Sequence, residues 1–194
     1  MPAPNPKRSE QILAAATELF ARKGIAKTTV RDIGEAAGVL SGTLYHYFDS
    51  KNAIVVRLLT DLGEENYRRN LAAVDGVADP LEAIRALIRI SVALVDEMPQ
   101  LTSIYQNEGN YFREHDLLSP VEALLAANRK TWLDTVKAAV ANNQLRNDLD
   151  SLVFYELLRD AIWSCTRWNS PVRVDADELA TSIETIFLHG FAAR

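Results

Sequence analysis

The 194-residue sequence predicts an all-α fold, and three observations carry that expectation. Apolar residues recur every three or four positions through most of the chain, the spacing that gathers them on one face of an α-helix. No segment alternates apolar and polar residues as a half-buried strand does. Helix boundaries are written locally, with Gly24 and Gly38 after periodic runs and Asp79-Pro80, Ser119-Pro120 and Asp150 before them. Together these predict about nine helices, three in an N-terminal head and about six in a C-terminal body.

Residues 1–6 contain three prolines and are expected to form a disordered arm. From Arg8 to Lys23, Ile12, Ala15, Ala16, Leu19 and Phe20 keep a helical period that Gly24 closes. Thr28 or Thr29 then offers a hydroxyl to the free N–H groups of a second helix, which buries Val30, Ile33 and Ala37. Gly38 ends it, because glycine alone enters the left-handed conformation of such a terminus without a steric cost. Leu40-Ser41-Gly42 opens a third helix to about Tyr47, with Leu44 and Phe48 turned inward.

A longer helix is predicted from Lys51 to about Val74, burying Ile54, Leu58 and Leu62. Asp79 caps the next, which carries Ile84, Leu87, Ile88, Val92 and Val95 and stops before Pro99. A short helix from Gln100 to about Asn110 precedes a loop over 111–118. Ser119-Pro120 opens a helix to about Asn142 with Trp132, Val136 and Val140 in its stripe. After a turn and cap at Asn147–Asp150, a helix runs from Ser151 to about Thr166, and Asp175 or Asp177 starts the last. These final two helices are apolar on more than one face, so each is expected to pack on two sides.

The chain holds one cysteine, Cys165, so no intrachain disulfide forms, and no ligand set for a metal is legible. No apolar run approaches the roughly 20 residues that span a bilayer, and the N-terminus lacks a signal-peptide core, so a cytoplasmic protein without membrane attachment is expected. The net charge of −5 looks unsuited to binding DNA, but it is unevenly spread. Residues 1–51 carry seven Lys/Arg against five Asp/Glu, while 52–194 carry fourteen against twenty-one. The head is thus basic and the body acidic, and the division at Lys51 is taken as the domain boundary.

Two short helices joined by a tight turn, Thr28 to Lys51, read as a helix-turn-helix. The string TTVRDIGEAAGVLSGTLYHYFDSK resembles the DNA-binding domain of the TetR family of transcriptional repressors. It departs from the usual family pattern at Leu40, where a capping Ser or Thr is expected. Either Ser41 caps a helix that starts one residue later, or the first turn goes uncapped at a cost of roughly 1 kcal/mol. The resemblance implies a homodimer on a double-stranded operator of two palindromic half-sites. Thr28, Thr29, Tyr45 and Lys51 would then touch phosphates, and Ser41, Gly42, Thr43 and His46 would approach bases, with Tyr47 on the same surface. It also implies that the last two helices pair across the dyad, with Phe154, Leu158, Ile162, Ile183 and Phe187 expected in the interface.

Arg159, Trp163 and Arg167 stand at i, i+4 and i+8, with Trp168 next to them. Two readings of this row are open. Guanidinium forks flanking an indole suit a nucleotide-containing anion such as a coenzyme A thioester. Alternatively, Arg159 pairs with Glu156 or Asp160 and the tryptophans belong to the core. IYQNE at 104–108, RNDLD at 146–150 and the spacing from Arg159 to Trp168 are similar to one TetR subgroup, the repressors of sterol-ring catabolism that leave DNA on binding a coenzyme A thioester. That resemblance implies a small-molecule effector of this kind, with Tyr105 and Asn107 also lining its site, and no resident cofactor. An uncharged hydrophobe or a fatty acid is the alternative effector. An acyl-CoA enzyme is the rival from another class, but His46, His115 and His189 are far apart in sequence and Cys165 has no motif partner, so no catalytic residue is assigned.

Overall fold

The computed structural model describes residues 6–165 and 174–191, and the expected arm is thereby described only at Pro6. Among these residues there are ten α-helices and no strands: α1 Pro6–Lys23, α2 Val30–Ala36, α3 Ser41–Leu44, α4 Lys51–Val74, α5 Pro80–Glu97, α6 Pro99–Asn107, α7 Gly109–Glu114, α8 Glu122–Ala141, α9 Ser151–Ser164 and α10 Ala176–Phe191. The tenth is α7, which occupies part of the expected loop at 111–118. At six residues it is too short to show a period; it is held by Phe112, which is buried and whose carbonyl accepts from the Leu117 N–H at 2.9 Å.

Local chemistry accounts for most boundaries. Asp79 accepts from the Leu81 N–H and Pro80 follows at the first helical position. Asp150 accepts from the N–H groups of Leu152 and Val153. Of the two candidates for starting α10, Asp175 does so, accepting from the Asp177 N–H at 2.9 Å. The helix begun at Ser119-Pro120 opens as one 3-10 turn, Ser119–Val121, before α8 takes over.

The chain forms two compact units. One comprises residues up to Leu62 together with Gln100–Glu122; the other comprises Gly63–Pro99 and the chain from Ala123 onward. The first unit therefore reaches past Lys51 and takes in α6 and α7. Its buried side chains include Ile12, Ala16 and Phe20 of α1, Ile33 of α2, Leu44 of α3, Ile54 and Leu58 of α4, and Phe112 of α7.

In the second unit α10 packs along α5, and α9 packs on both. Arg89 of α5 pairs with Glu184 of α10 at 2.8 Å, and Phe154 meets Phe187 edge-on at 6.1 Å. A buried amide pair crosses from α4 to α8: Asn70 donates to Asn128 at 3.0 Å, and Asn128 donates to the carbonyls of Gly63 and Leu124, each at 3.2 Å.

α9 is apolar on both faces, as the sequence predicts, whereas α10 sets only Ile186 among polar side chains such as Thr181, Ser182 and Thr185 on its outward face, and the expected interface residues of both helices lie on the inward one. Phe154, Leu158, Ile162 and Ile183 are buried in their own unit, and Phe187 is half-buried against Phe154. The outward face carries Leu152, Val153 and Leu157 on α9 and Ile186 on α10. Both sets satisfy the helical period, so periodicity alone does not say which of them meets the core.

Candidate nucleic-acid interface

The surface formed by α2, α3 and their flanks is held by an ordered set of polar contacts. Thr29 is the N-cap of α2 and makes a reciprocal capping box: its hydroxyl accepts from the Asp32 N–H at 3.1 Å, and its own N–H donates to the Asp32 carboxylate at 2.8 Å. Lys23, at the end of α1, donates to the same carboxylate at 2.7 Å. These bonds, that from Lys23 first, hold the Asp32 carboxyl well below the ordinary carboxylate range.

The α2–α3 turn is equally confined. Gly38 sits at φ +65°, and the Val39 N–H reaches back to the Gly34 carbonyl at 2.9 Å. A Cβ at Gly34 would lie 3.0 Å from the Val39 carbonyl, so the turn closes on bare backbone.

The third helix is shorter than the expected run to Tyr47. α3 is one α-turn, after which the N–H groups of His46 and Tyr47 bond to the carbonyls of Thr43 and Leu44 in the tighter i to i+3 manner. Leu40 is its N-cap and supplies no side-chain bond, so of the two possibilities for the missing hydroxyl the uncapped turn is the one adopted. Ser41 is the first helical residue. Gly42, Tyr45 and His46 are exposed, and Ser41, Thr43 and Tyr47 are half-exposed.

Two residues expected on phosphates belong to the scaffold instead. Thr28 is buried and its hydroxyl donates to the Gly24 carbonyl at 2.8 Å. Lys51 donates to the carbonyls of Ile25 and Thr28 at 2.7 and 2.9 Å, and its ammonium lies 5.4 Å from the centre of the Tyr111 ring. Burial pushes the Lys51 pKa down. The Tyr111 hydroxyl donates to Asn52 at 2.9 Å, so α7 secures the start of α4. Thr29 remains exposed, though its hydroxyl is engaged in the cap. Leu40, expected only as the site of a missing cap, leaves its side chain in solvent.

The expected ligand row is partly described. Arg159 donates to Glu156 at 2.5 Å and to Asp160 at 2.8 Å, which is the intrahelical pairing offered as the alternative reading. Its guanidinium also lies 5.8 Å from the Tyr155 ring, and Tyr155 meets Trp132 at 6.0 Å. Tyr155, which the sequence did not single out, is buried, and that burial pushes its hydroxyl pKa up. Trp163 is buried as well. Arg167 and Trp168 lie outside the described residues. Tyr105 and Asn107 are in the first unit, where Tyr105 packs near Phe112 at 6.5 Å and Asn107 donates to Ser103 at 3.0 Å. Among the described residues no cluster of His, Cys, Asp and Glu suits a metal ion, and no helix is long and apolar enough to cross a membrane.

Comparison with known proteins places this geometry. The profile of the bacterial regulatory proteins of the tetR family matches residues 12–58, which span α1 to the first turns of α4. The HTH-type transcriptional repressor KstR2 of Rhodococcus jostii is 32% identical over 187 residues, covering 96% of this chain and 92% of that protein. KstR2 of Mycobacterium tuberculosis is 35% identical over 167 residues, covering 86% and 83%. The solved structure of the ketosteroid transcriptional regulator KstR2 of Mycobacterium tuberculosis superposes with a TM-score of 0.86 at 32% identity, covering 98% of this chain and 97% of that one. The likeness runs through both units and not the DNA-binding segment alone, and this chain belongs to the TetR family of transcriptional repressors.

Proposed function

We propose that this repressor binds, as a homodimer in the cytoplasm, an operator of two palindromic half-sites, and that a small-molecule effector held by the second unit releases it. The observation that carries the DNA contact is the run from Ser41 to Tyr47, whose hydroxyl, imidazole and phenol groups face outward from a turn that backbone bonds confine. Two such runs meet successive major grooves when they lie about 34 to 36 Å apart or a multiple of that. An effector that prefers a different spacing of the two heads lowers DNA affinity by the difference in its own affinities for the two states. The outward apolar set Leu152, Val153, Leu157 and Ile186 supports pairing of α9 and α10 with a second copy.

For the effector we favour a coenzyme A thioester from sterol or other lipid breakdown. The ketosteroid in the name of the similar Mycobacterium tuberculosis regulator supports it, as does an arginine beside the Tyr155–Trp132 pair. Arg159 is already held by Glu156 and Asp160, so a phosphate that reaches it exchanges for one of these carboxylates. That same pairing favours the second reading, an uncharged steroid or fatty acid taken up by the aromatic side chains.

An electrophoretic shift with the DNA upstream of the protein's own gene, repeated with free steroids, fatty acids and a panel of acyl-CoA thioesters, tests both sites. Retardation that only the thioesters reverse, with the reversal weakened in Arg159→Ala, is expected. Absence of any retardation at low salt overturns the repressor reading, and equal reversal by uncharged hydrophobes overturns the thioester.

A further inference from the structure

Among the described residues of the first unit, the exposed large hydrophobics are Leu40 and Tyr45, and they stand at the two ends of α3. Leu40 is the more exposed, at 81%. Its backbone is fully used: at φ −68° and ψ 144°, its carbonyl accepts from the N–H groups of Thr43 at 2.9 Å and Leu44 at 3.1 Å. Its side chain is used by nothing in the fold, neither as a cap nor as core. A leucine here forgoes the hydroxyl cap that stabilises such a terminus and leaves apolar surface in water. A single exposed leucine is ordinary elsewhere on a protein; here it shares an edge with Ser41, Gly42 and Thr43. Gly42 beside it is exposed, and a Cβ there would meet no atom within 4 Å, so nothing in the fold covers the backbone next to the leucine. The Gly34–Val39 closure holds that edge in place.

We propose that Leu40 is a specificity-determining residue of this repressor, packing against the 5-methyl group of a thymine in the major groove of each half-site. In that groove the thymine methyl is the one apolar feature that a base edge presents, and a leucine offers it no hydrogen bond to mismatch. The neighbouring hydroxyls and His46 supply polar contacts to adjacent edges, so Leu40 distinguishes thymine from cytosine at a position the polar set does not read. This rests on the reading of Ser41 to Tyr47 as the DNA-contacting run.

The test uses the full-length protein and a labelled fragment from upstream of its own gene, prepared once with thymine and once with deoxyuracil throughout, a change that removes only the 5-methyl groups. Wild-type protein is expected to bind the thymine probe more tightly by about threefold to fivefold for each methyl buried, and by the square of that for two half-sites. Leu40→Ser, which restores a hydroxyl at the cap, is expected to keep or raise the melting temperature and to lose most of the thymine preference; Leu40→Ala is expected to fall between. A merely structural role at the cap predicts the opposite for Leu40→Ser, with an unchanged thymine-to-uracil ratio. An equal ratio in wild type and Leu40→Ser, or no preference in wild type, overturns the contact while leaving the repressor reading intact. Wild-type protein that retards neither probe removes both.

Discussion

Leu157 and Leu158 are adjacent in sequence and opposite in fate, one 53% exposed and the other 0%. If the outward face of α9 is where two copies meet, replacing Leu157 should weaken the dimer without loosening the protomer. Full burial of a leucine side chain is worth about 1.5 to 3 kcal/mol, and about half of this one is available to a partner, or roughly 1 kcal/mol. A two-fold interface counts every substitution twice, which gives about 2 kcal/mol per dimer, or close to a 30-fold rise in Kd. Leu157→Lys should exceed that figure, because it also brings two like charges towards the same dyad. Leu158→Ala should instead cost about 2 to 5 kcal/mol of folding stability through the cavity it leaves, with little change in the association of whatever remains folded. Sedimentation equilibrium across protomer concentration gives the first quantity, and urea unfolding at one fixed concentration gives the second. A Leu157→Lys protein that dimerises like wild type, or a folded Leu158→Ala protein that dissociates more readily than Leu157→Lys, refutes the assignment of the outward face.

Gly38→Ala should lower stability by about 1 kcal/mol in urea, since φ is +65° and no atom within 4 Å obstructs the added methyl; Gly38→Asn should cost less. Asn128→Leu should cost roughly 1 to 3 kcal/mol, because it strips the buried Asn70 amide of its acceptor and removes a second bond from the Gly63 and Leu124 carbonyls. A Tm within a degree of wild type would show that these groups find other partners. Hydrogen bonds from Arg68 and then Arg69 lower the Glu65 pKa from 4.5 to about 2. A depressed carboxyl stabilises the fold above its unfolded value, and that contribution fades as pH falls from about 4.5 towards 2. The Tm difference between wild type and Glu65→Gln should therefore shrink across that window, and a difference that stays constant would remove Glu65 as its source.

The sequence by itself determined the fold class, nearly every helix and the helix-turn-helix that places the chain in its family. These are settled within one helical turn: Thr29 with Asp32, Asp79 with Pro80, Asp150 with Leu152, and Gly38 closing α2 all act over four residues or fewer. The pairing of Arg159 with Glu156 and Asp160 was legible for the same reason. Tertiary structure decided what local spacing leaves open. The Lys51 ammonium bonds to carbonyls 26 and 23 residues earlier in the chain, which turns an expected phosphate contact into a brace. Gln100–Glu122 joins the first unit, with Tyr111 on Lys51 and Asn52, through contacts that no periodicity encodes. On α9 the chain chose Phe154 and Leu158 for its core and left Leu152, Val153 and Leu157 outside. A helix with apolar residues on two faces carries two candidate stripes in its sequence, and only the side chains of α5 and α10, arriving from elsewhere in the chain, determine which stripe is buried.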